Sequence, residues 1–289
     1  MTAIDTGLQD LKRQHPEWEP WLAVVQEILR ETDNPQWDAV VPHPTTQQDK
    51  TPLLAGASLA LEQNSVRRLI QVLIQAACRS GTPKMASLEP ALRGELDVLS
   101  LFKAALRQDG NYLKETAAAV GAEPEAFQAV AALIPVPFLQ ACNRRWKPST
   151  AAGWQEGYCP VCGTWPALTE VRGIERQRYF RCGRCGGEWR AHCLFCAFCG
   201  MNNHEELVSL VPEKSGAGRM IEACKRCLGY VKTFTTLEGS APAKVILDDL
   251  ASVDLDVAAC AQGYKRPQGA GYALDVTIMP NGATKASKP

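Results

Sequence analysis

Four Cys-x-x-Cys pairs crowd into one stretch of this 289-residue chain: Cys159/Cys162, Cys182/Cys185, Cys196/Cys199 and Cys224/Cys227. No other feature restricts the fold as strongly. A two-residue gap lets both sulfurs of a tight turn face one ion, with the backbone N–H groups of the turn donating to them. Such a turn closes through a residue with positive φ, which glycine adopts without steric cost. Gly163, Gly186 and Gly200 directly follow the second cysteine of three pairs, and Gly229 stands one place later in the fourth. Two such knuckles make a tetrahedral four-thiolate site, the geometry of structural zinc or of a rubredoxin-type single iron.

Nineteen residues separate Cys162 from Cys182, and twenty-four separate Cys199 from Cys224. Both gaps suit a short β-hairpin between knuckles, so the first pair is matched with the second and the third with the fourth. A crossed arrangement, first with third, is the alternative. The predicted ligands are therefore Cys159, Cys162, Cys182 and Cys185 for one ion, and Cys196, Cys199, Cys224 and Cys227 for the other, each ion iron or zinc. A catalytic zinc usually keeps one open position among three protein ligands. Eight cysteines in four complete pairs leave no vacancy, so scaffolding is expected and enzymatic activity is not. Structural thiols without metal, or a redox dithiol of the thioredoxin kind, are the plainer alternatives; the second would want a reactive pair at a helix N-terminus.

Cys193 makes the third knuckle Cys-x-x-Cys-x-x-Cys and is a substitute ligand, a spare reactive thiol or a plain, partly buried cysteine. His192 and His204 flank that knuckle, but no cysteine needs replacing. Cys78, Cys142 and Cys260 fall on apolar helical faces and read as core residues. Arg181, Arg184, Lys225 and Arg226 lie beside or inside the knuckles and could offset thiolate charge. Trp154, Trp165 and Trp189 read as packing against the ribbon, with a partner surface as the alternative.

The first half reads as helical. Apolar residues fit helical faces over Pro20–Arg30, Ser65–Arg79 and Leu88–Gln108, with Gly94 as a break, then over Tyr112–Val120, Pro124–Ile134 and Phe138–Trp146. Gly81-Thr82-Pro83 ends the second helix, and Pro35–Pro52 reads as a surface loop. Pro148-Ser149-Thr150 marks a domain boundary. Beyond it, β-like runs of four to six residues lie between the cysteine pairs: Leu168–Val171, Arg178–Cys182, Glu206–Val211, Met220–Ala223 and Tyr230–Thr235. Lys244–Ala261 reads as one amphipathic helix carrying Asp248, Asp249, Asp254 and Asp256, either a docking element or a cover for the second metal module. The expected class is α+β: a helical domain over 1–150, a metal module over 151–193, a second with a C-terminal helix over 194–268, and a flexible tail over 269–289.

Lys plus Arg and Asp plus Glu each number 31, so the chain lacks the basic field that non-specific nucleic-acid binding needs. No run of about 18 apolar residues predicts a membrane span. Asp5 and Asp10 near the N-terminus, with no apolar core between them, do not suit a secretory signal. The expected compartment is the cytoplasm, where paired thiols are metal ligands more often than disulfides.

The residues around the knuckles carry a further signal. Tyr158-Cys-Pro-Val-Cys-Gly163, Arg178-Tyr-Phe-Arg-Cys-Gly-Arg-Cys185, Glu188-Trp189, Cys196-Ala-Phe-Cys199, Glu222-Ala-Cys-Lys-Arg-Cys227, Gly229-Tyr-Val-Lys232, Asp248-Asp-Leu-Ala-Ser252, Leu255-Asp256 and Gly263 together resemble the FdhE-type formate dehydrogenase accessory proteins. The resemblance implies two rubredoxin-like modules after a helical domain. It also implies a cytoplasmic assembly factor that binds the catalytic subunit of the molybdenum enzyme before export, and metal, iron in some members, on the eight thiolates. Cys193 lies outside the family pattern. A zinc-ribbon nucleic-acid-binding protein, resting on Arg172, Arg176, Arg178, Arg181, Arg184 and Arg190, and a rubredoxin-like redox protein are the competing functions. Oligomeric state is left open.

Overall fold

The computed structural model describes residues 3–45, 50–79, 82–146, 153–211 and 218–280. The chain divides into two compact units. A sheet unit comprises Met1–Gln9, Thr46–Leu53 and Cys142–Ala273; a helical unit comprises Asp10–Thr45, Leu54–Ala141 and Leu274–Pro289. The boundary expected at Pro148-Ser149-Thr150 and the helix stop expected at Gly81 lie outside the described residues.

The chain opens with α1 (Ala3–Gln14) and α2 (Glu19–Glu31); α2 packs on α4 (Gln63–Arg79), and the short helices α5 (Pro83–Ala86) and α6 (Pro90–Arg93) lead to α7 (Val98–Arg107), on which α4 also packs. α8 (Gly110–Ala119) and α9 (Pro124–Ala131) follow, and α10 (Val136–Trp146) leads out of the unit. Short polar side chains begin these helices by accepting hydrogen bonds from otherwise unpaired N–H groups: Asp97 from Ser100 at 3.1 Å, Asp109 from Tyr112 at 3.1 Å and Glu123 from Ala126 at 2.7 Å. Gln108, at φ 58°, closes α7 in the left-handed region. In the core, buried Trp37 stacks on Phe102, which meets Phe138 edge to face.

Two regions differ from the sequence reading. The expected loop Pro35–Pro52 contains a helical turn, α3 (Gln36–Ala39), because Trp37 needs burial and is 2% exposed. The expected tail supplies β8 (Thr277–Pro280), which pairs in parallel with β1 (Ser58–Leu61); Leu274 and Val276, just before the strand, are buried. Pro124–Trp146 has the length and mean hydropathy, 1.3, to cross a membrane, but 72% of that stretch is buried inside the fold. It spans α9 and α10, whose apolar faces the helical core accounts for.

The sheet unit is built on one order used twice. Knuckle 159–162 is followed by β2 (Leu168–Arg172), β3 (Gln177–Arg181), knuckle 182–185 and β4 (Glu188–Arg190). Knuckle 196–199 is followed by β5 (Leu207–Leu210), β6 (Arg219–Cys224), knuckle 224–227 and β7 (Tyr230–Thr236). All five runs read from the sequence are strands. Each half is a three-stranded antiparallel sheet, and a parallel pairing of β2 with β7 fuses them in the order β4-β3-β2-β7-β6-β5. The two expected modules therefore share one sheet.

The expected single helix after Lys244 is two, α11 (Lys244–Leu250) and α12 (Val253–Ala261). The break falls at buried Ser252, whose hydroxyl donates to the Asp248 and Asp249 carbonyls at 2.8 and 3.1 Å. Val245, Leu255 and Ala259 from these helices meet Leu168, Ile221, Tyr230 and Phe234 from the sheet in one apolar cluster.

Candidate metal centres

Each knuckle follows the same backbone plan. The residue after the second cysteine donates its N–H to the carbonyl of the first: Gly163 to Cys159 at 2.9 Å, Gly186 to Cys182 at 3.0 Å, Gly200 to Cys196 at 3.0 Å and Leu228 to Cys224 at 2.9 Å. The first cysteine's own N–H goes five residues on, to the carbonyls of Thr164, Gly187, Met201 and Gly229. The three glycines sit at φ +69°, +69° and +71°. In the fourth knuckle the left-handed place falls on Leu228, at φ +57°, and not on Gly229. Gly229 serves a different need: a Cβ there would lie 2.5 Å from the Phe198 ring.

These turns bring the thiols together as two quartets. Cys159, Cys162, Cys182 and Cys185 form one, and Cys196, Cys199, Cys224 and Cys227 the other, with the sulfurs of each within 4.8 Å of one another. The pairing of first with second and third with fourth holds, and the crossed alternative does not. The closest sulfurs are Cys159–Cys185 at 3.4 Å, Cys162–Cys182 at 3.5 Å, Cys196–Cys227 at 3.6 Å and Cys199–Cys224 at 3.8 Å. A tetrahedron of 2.3 Å metal–sulfur bonds has edges of about 3.8 Å, so a tetrahedral thiophilic ion fits both quartets. Backbone N–H groups already point at several sulfurs: Arg184 and Cys185 at Cys182 Sγ, Gly187 at Cys185 Sγ, and Gly229 at Cys227 Sγ.

Burial pushes the Cys159 and Cys185 thiols well up, whereas hydrogen bonding with Cys159, Cys182 and Cys185 holds Cys162 well down, helped by the Arg184 charge. In the second quartet burial raises Cys196, and raises Cys227 to about 11. At Cys224 burial also acts upward, but the N–H groups of Cys227 and Arg226 outweigh it and the thiol is lowered.

The flanking residues sort differently from the sequence reading. Arg181 does not serve the thiolates. It is buried against Glu170 at 2.7 Å and donates to the Ser240 carbonyl at 2.6 Å. Arg172 pairs with Glu170 and Glu188, and Arg178 with Glu222 at 2.6 Å. Half-buried Arg184 does stand by the first quartet. Trp189 is buried, with its indole N–H on the Glu156 carbonyl at 3.0 Å, and Trp165 packs edge-on to Phe198. Neither His192, His204 nor Cys193 belongs to a quartet. Cys260, expected in a core, is exposed.

The aspartates of α11 and α12 hold the helices to the sheet. Lys232 on β7 is fully buried and reaches Asp249 at 2.7 Å and Asp256 at 2.8 Å; Arg266 closes on the same two carboxylates at 2.6 and 2.9 Å. Sequence reasoning missed Lys232 as a structural residue. Its signal was a lysine inside a strand otherwise apolar and β-branched.

A helical unit and a fused pair of rubredoxin-like knuckle ribbons, each able to hold one ion, define a two-centre metal scaffold of the α+β class. The family model described as FdhE, C-terminal domain, matches residues 194–274. An FdhE homolog of Pseudomonas aeruginosa is 32% identical over 146 residues, 45% of this chain and 47% of that protein. FdhE of Escherichia coli O127:H6 is 33% identical over 116 residues, 39% and 37% of the two chains. The aligned stretches thus span less than half the length of these curated relatives. The crystal structure of the Pseudomonas aeruginosa FdhE protein shares the fold, with a TM-score of 0.60, 23% identity and 93% coverage of both chains. Residues 194–274 thus match an FdhE C-terminal domain, and the chain as a whole is similar in fold to a solved FdhE protein.

Proposed function

We propose that this chain is a cytoplasmic accessory factor for a formate dehydrogenase, binding the immature catalytic subunit through a metal-stabilised scaffold. The observation that carries the reading is the FdhE-type C-terminal domain, in which Cys196, Cys199, Cys224 and Cys227 form a complete ligand set. Cys159, Cys162, Cys182 and Cys185 would hold a second ion, and iron and zinc both suit such sites. A bound ion supplies a cross-link between two knuckles. The chain's own residues supply everything else: the turns that aim the sulfurs, the N–H groups that stabilise their charge, and the buried ion pairs that fix the sheet behind them. With no ligand position left over, the centres suit a scaffold better than hydrolysis. Three of the six arginines that could have served nucleic acid, Arg172, Arg178 and Arg181, are engaged in ion pairs with Glu170, Glu188 and Glu222.

Co-expression with a formate dehydrogenase catalytic subunit, followed by affinity capture of this chain, is expected to recover that subunit before its export. Capture that never yields it would refute the reading. Metal analysis and visible absorption of the anaerobically purified protein assign iron or zinc to the same sample.

A further inference from the structure

The two quartets share one backbone plan but not one environment. All four sulfurs of the first belong to buried residues. Segments distant in sequence close over it. Tyr272 and Pro52 lie over Gly163, where a Cβ would come within 3.0 and 3.4 Å of them, and Pro242 lies over Gly186 at 2.4 Å. Leu53 donates its N–H to the Pro160 carbonyl at 2.8 Å, and Tyr272 to the Gly163 carbonyl at 2.9 Å. Asn143 sits against Gly187.

The second quartet is covered less completely: Gly157 lies against the Ala197 backbone, Trp165 packs on Phe198 and Lys265 donates to the Leu228 carbonyl at 2.8 Å, yet its outer thiols still reach the surface. Cys199 is exposed and Cys227 partly so. The turn of its first knuckle faces open space, since a Cβ on Gly200 would meet nothing within 4 Å. A recess of about 100 Å³ reaches the centre from the side, lined by Cys193, Cys196, Phe198, Val208 and Cys224. That is room for about three waters, or for the head of a small thiol. Cys193 itself is exposed and lines the same recess as the quartet's Cys196 and Cys224.

We propose that the second quartet is the exchangeable metal site of this protein, opening at Cys199 with Cys193 as the neighbouring thiol, and that the first quartet is a permanent structural one. The exchanging species are a soft divalent cation and a thiol-bearing or chelating acceptor. Solvent access to the outermost ligand governs how fast an acceptor can displace it, and a complete surrounding shell slows that displacement. The inference rests on the reading that both quartets hold an ion.

The test uses the full chain reconstituted with zinc. Zinc content is measured first, then its release to a chromogenic pyridylazo chelator is followed in time. Parallel samples are treated with iodoacetamide and mapped by mass spectrometry. Two ions per chain are expected, one leaving at least about tenfold faster than the other, a spread like that produced by removing partners around metal ligands. Early alkylation is expected at Cys193 and Cys199, with Cys260 as the exposed control, while Cys159, Cys162, Cys182 and Cys185 stay protected. Cys193→Ser is expected to slow the fast phase alone; an unchanged fast phase removes Cys193 from the proposal. One ion with the first quartet protected is the limiting form of the same result. Two ions leaving at a single rate, or alkylation of the first quartet as early as Cys199, overturns the inference and leaves the two-ion reading intact. No ion at either quartet removes both.

Discussion

Leu228 occupies a place that three glycines fill elsewhere in the same chain. Its left-handed backbone costs an L-residue about 1–2 kcal/mol, against about 0.5–1 kcal/mol of extra unfolded-state entropy for glycine. At 45% exposure the side chain contributes limited burial in return. Leu228→Gly is therefore expected to raise stability by up to about 1 kcal/mol. Gly163→Ala is expected to lower it by more than that, because φ is +69° and the new Cβ would press on Tyr272. Denaturant midpoints of the metal-loaded proteins decide both signs, and a destabilised Leu228→Gly would contradict the argument. Glu170 makes a separate claim about acid. Burial raises its pKa, but Arg181 and then Arg172 outweigh burial, and the folded carboxyl lies below its ordinary value. Its contribution to stability is thus present above the unfolded value, about 4.3, and is lost as pH falls through the lower folded value. Glu170→Gln leaves Arg181 buried without its counter-charge and is expected to cost about 3–5 kcal/mol near neutrality. The gap between wild type and variant should shrink as pH falls below 4.3, the unfolded reference. A gap that is constant with pH would show that the carboxylate charge is not what matters.

At the scale of elements, the joint between β2 and β7 carries the least expected chemistry. Thr169 and Thr233 are register partners across it, both fully buried, and neither hydroxyl has a hydrogen-bond partner among the described residues. Replacing both by valine keeps the β-branched shape the strands favour and removes two unmet polar groups. The double variant is expected to be neutral to about 2 kcal/mol more stable, since an unpaired buried hydroxyl costs about 1–3 kcal/mol. Calorimetry of single and double variants checks this, and a clear loss would mean the hydroxyls pair with one another in solution. The same joint explains what the sequence could and could not reveal. Knuckles are local, so spacing and the glycines Gly163, Gly186 and Gly200 expose them, and hairpin-length gaps give the pairing of quartets. β2 against β7 joins residues more than sixty positions apart through backbone hydrogen bonds, which leave no side-chain signature. Glu170 and Lys232 take their roles from partners in other elements, Arg181 for the first and Asp249 and Asp256 for the second. β8 is hard to read because a short strand next to glycine-rich sequence looks like tail, and α11 reads on into α12 because Ser252 fits a helical period.

The sheet unit is a tandem repeat fused at its centre, and that arrangement dictates how it comes apart. The pairing order places β2 and β7 at the middle of the sheet and leaves β4 and β5 as outer strands. Each central strand has ladder hydrogen bonds on both sides, and each holds one buried charge whose partner lies in a different element: Glu170 with Arg181, Lys232 with Asp249 and Asp256. Separating the halves would break the parallel ladder and bare the apolar cluster in which Leu168 of the first half meets Ile221, Tyr230 and Phe234 of the second. The halves should therefore unfold together, unlike independent metal ribbons joined by a linker. Native-state hydrogen exchange on the metal-loaded protein measures this directly. Amides of β2 and β7 are expected to exchange slowest and with a common opening free energy, and amides of β4 and β5 faster. Two separate opening free energies, one for β2 and β3 and another for β6 and β7, would mean that the modules are independent despite the shared sheet. Withdrawing the ion of the second quartet alone should then speed exchange first in β5 and the 224–227 knuckle, with β2 responding only through β7.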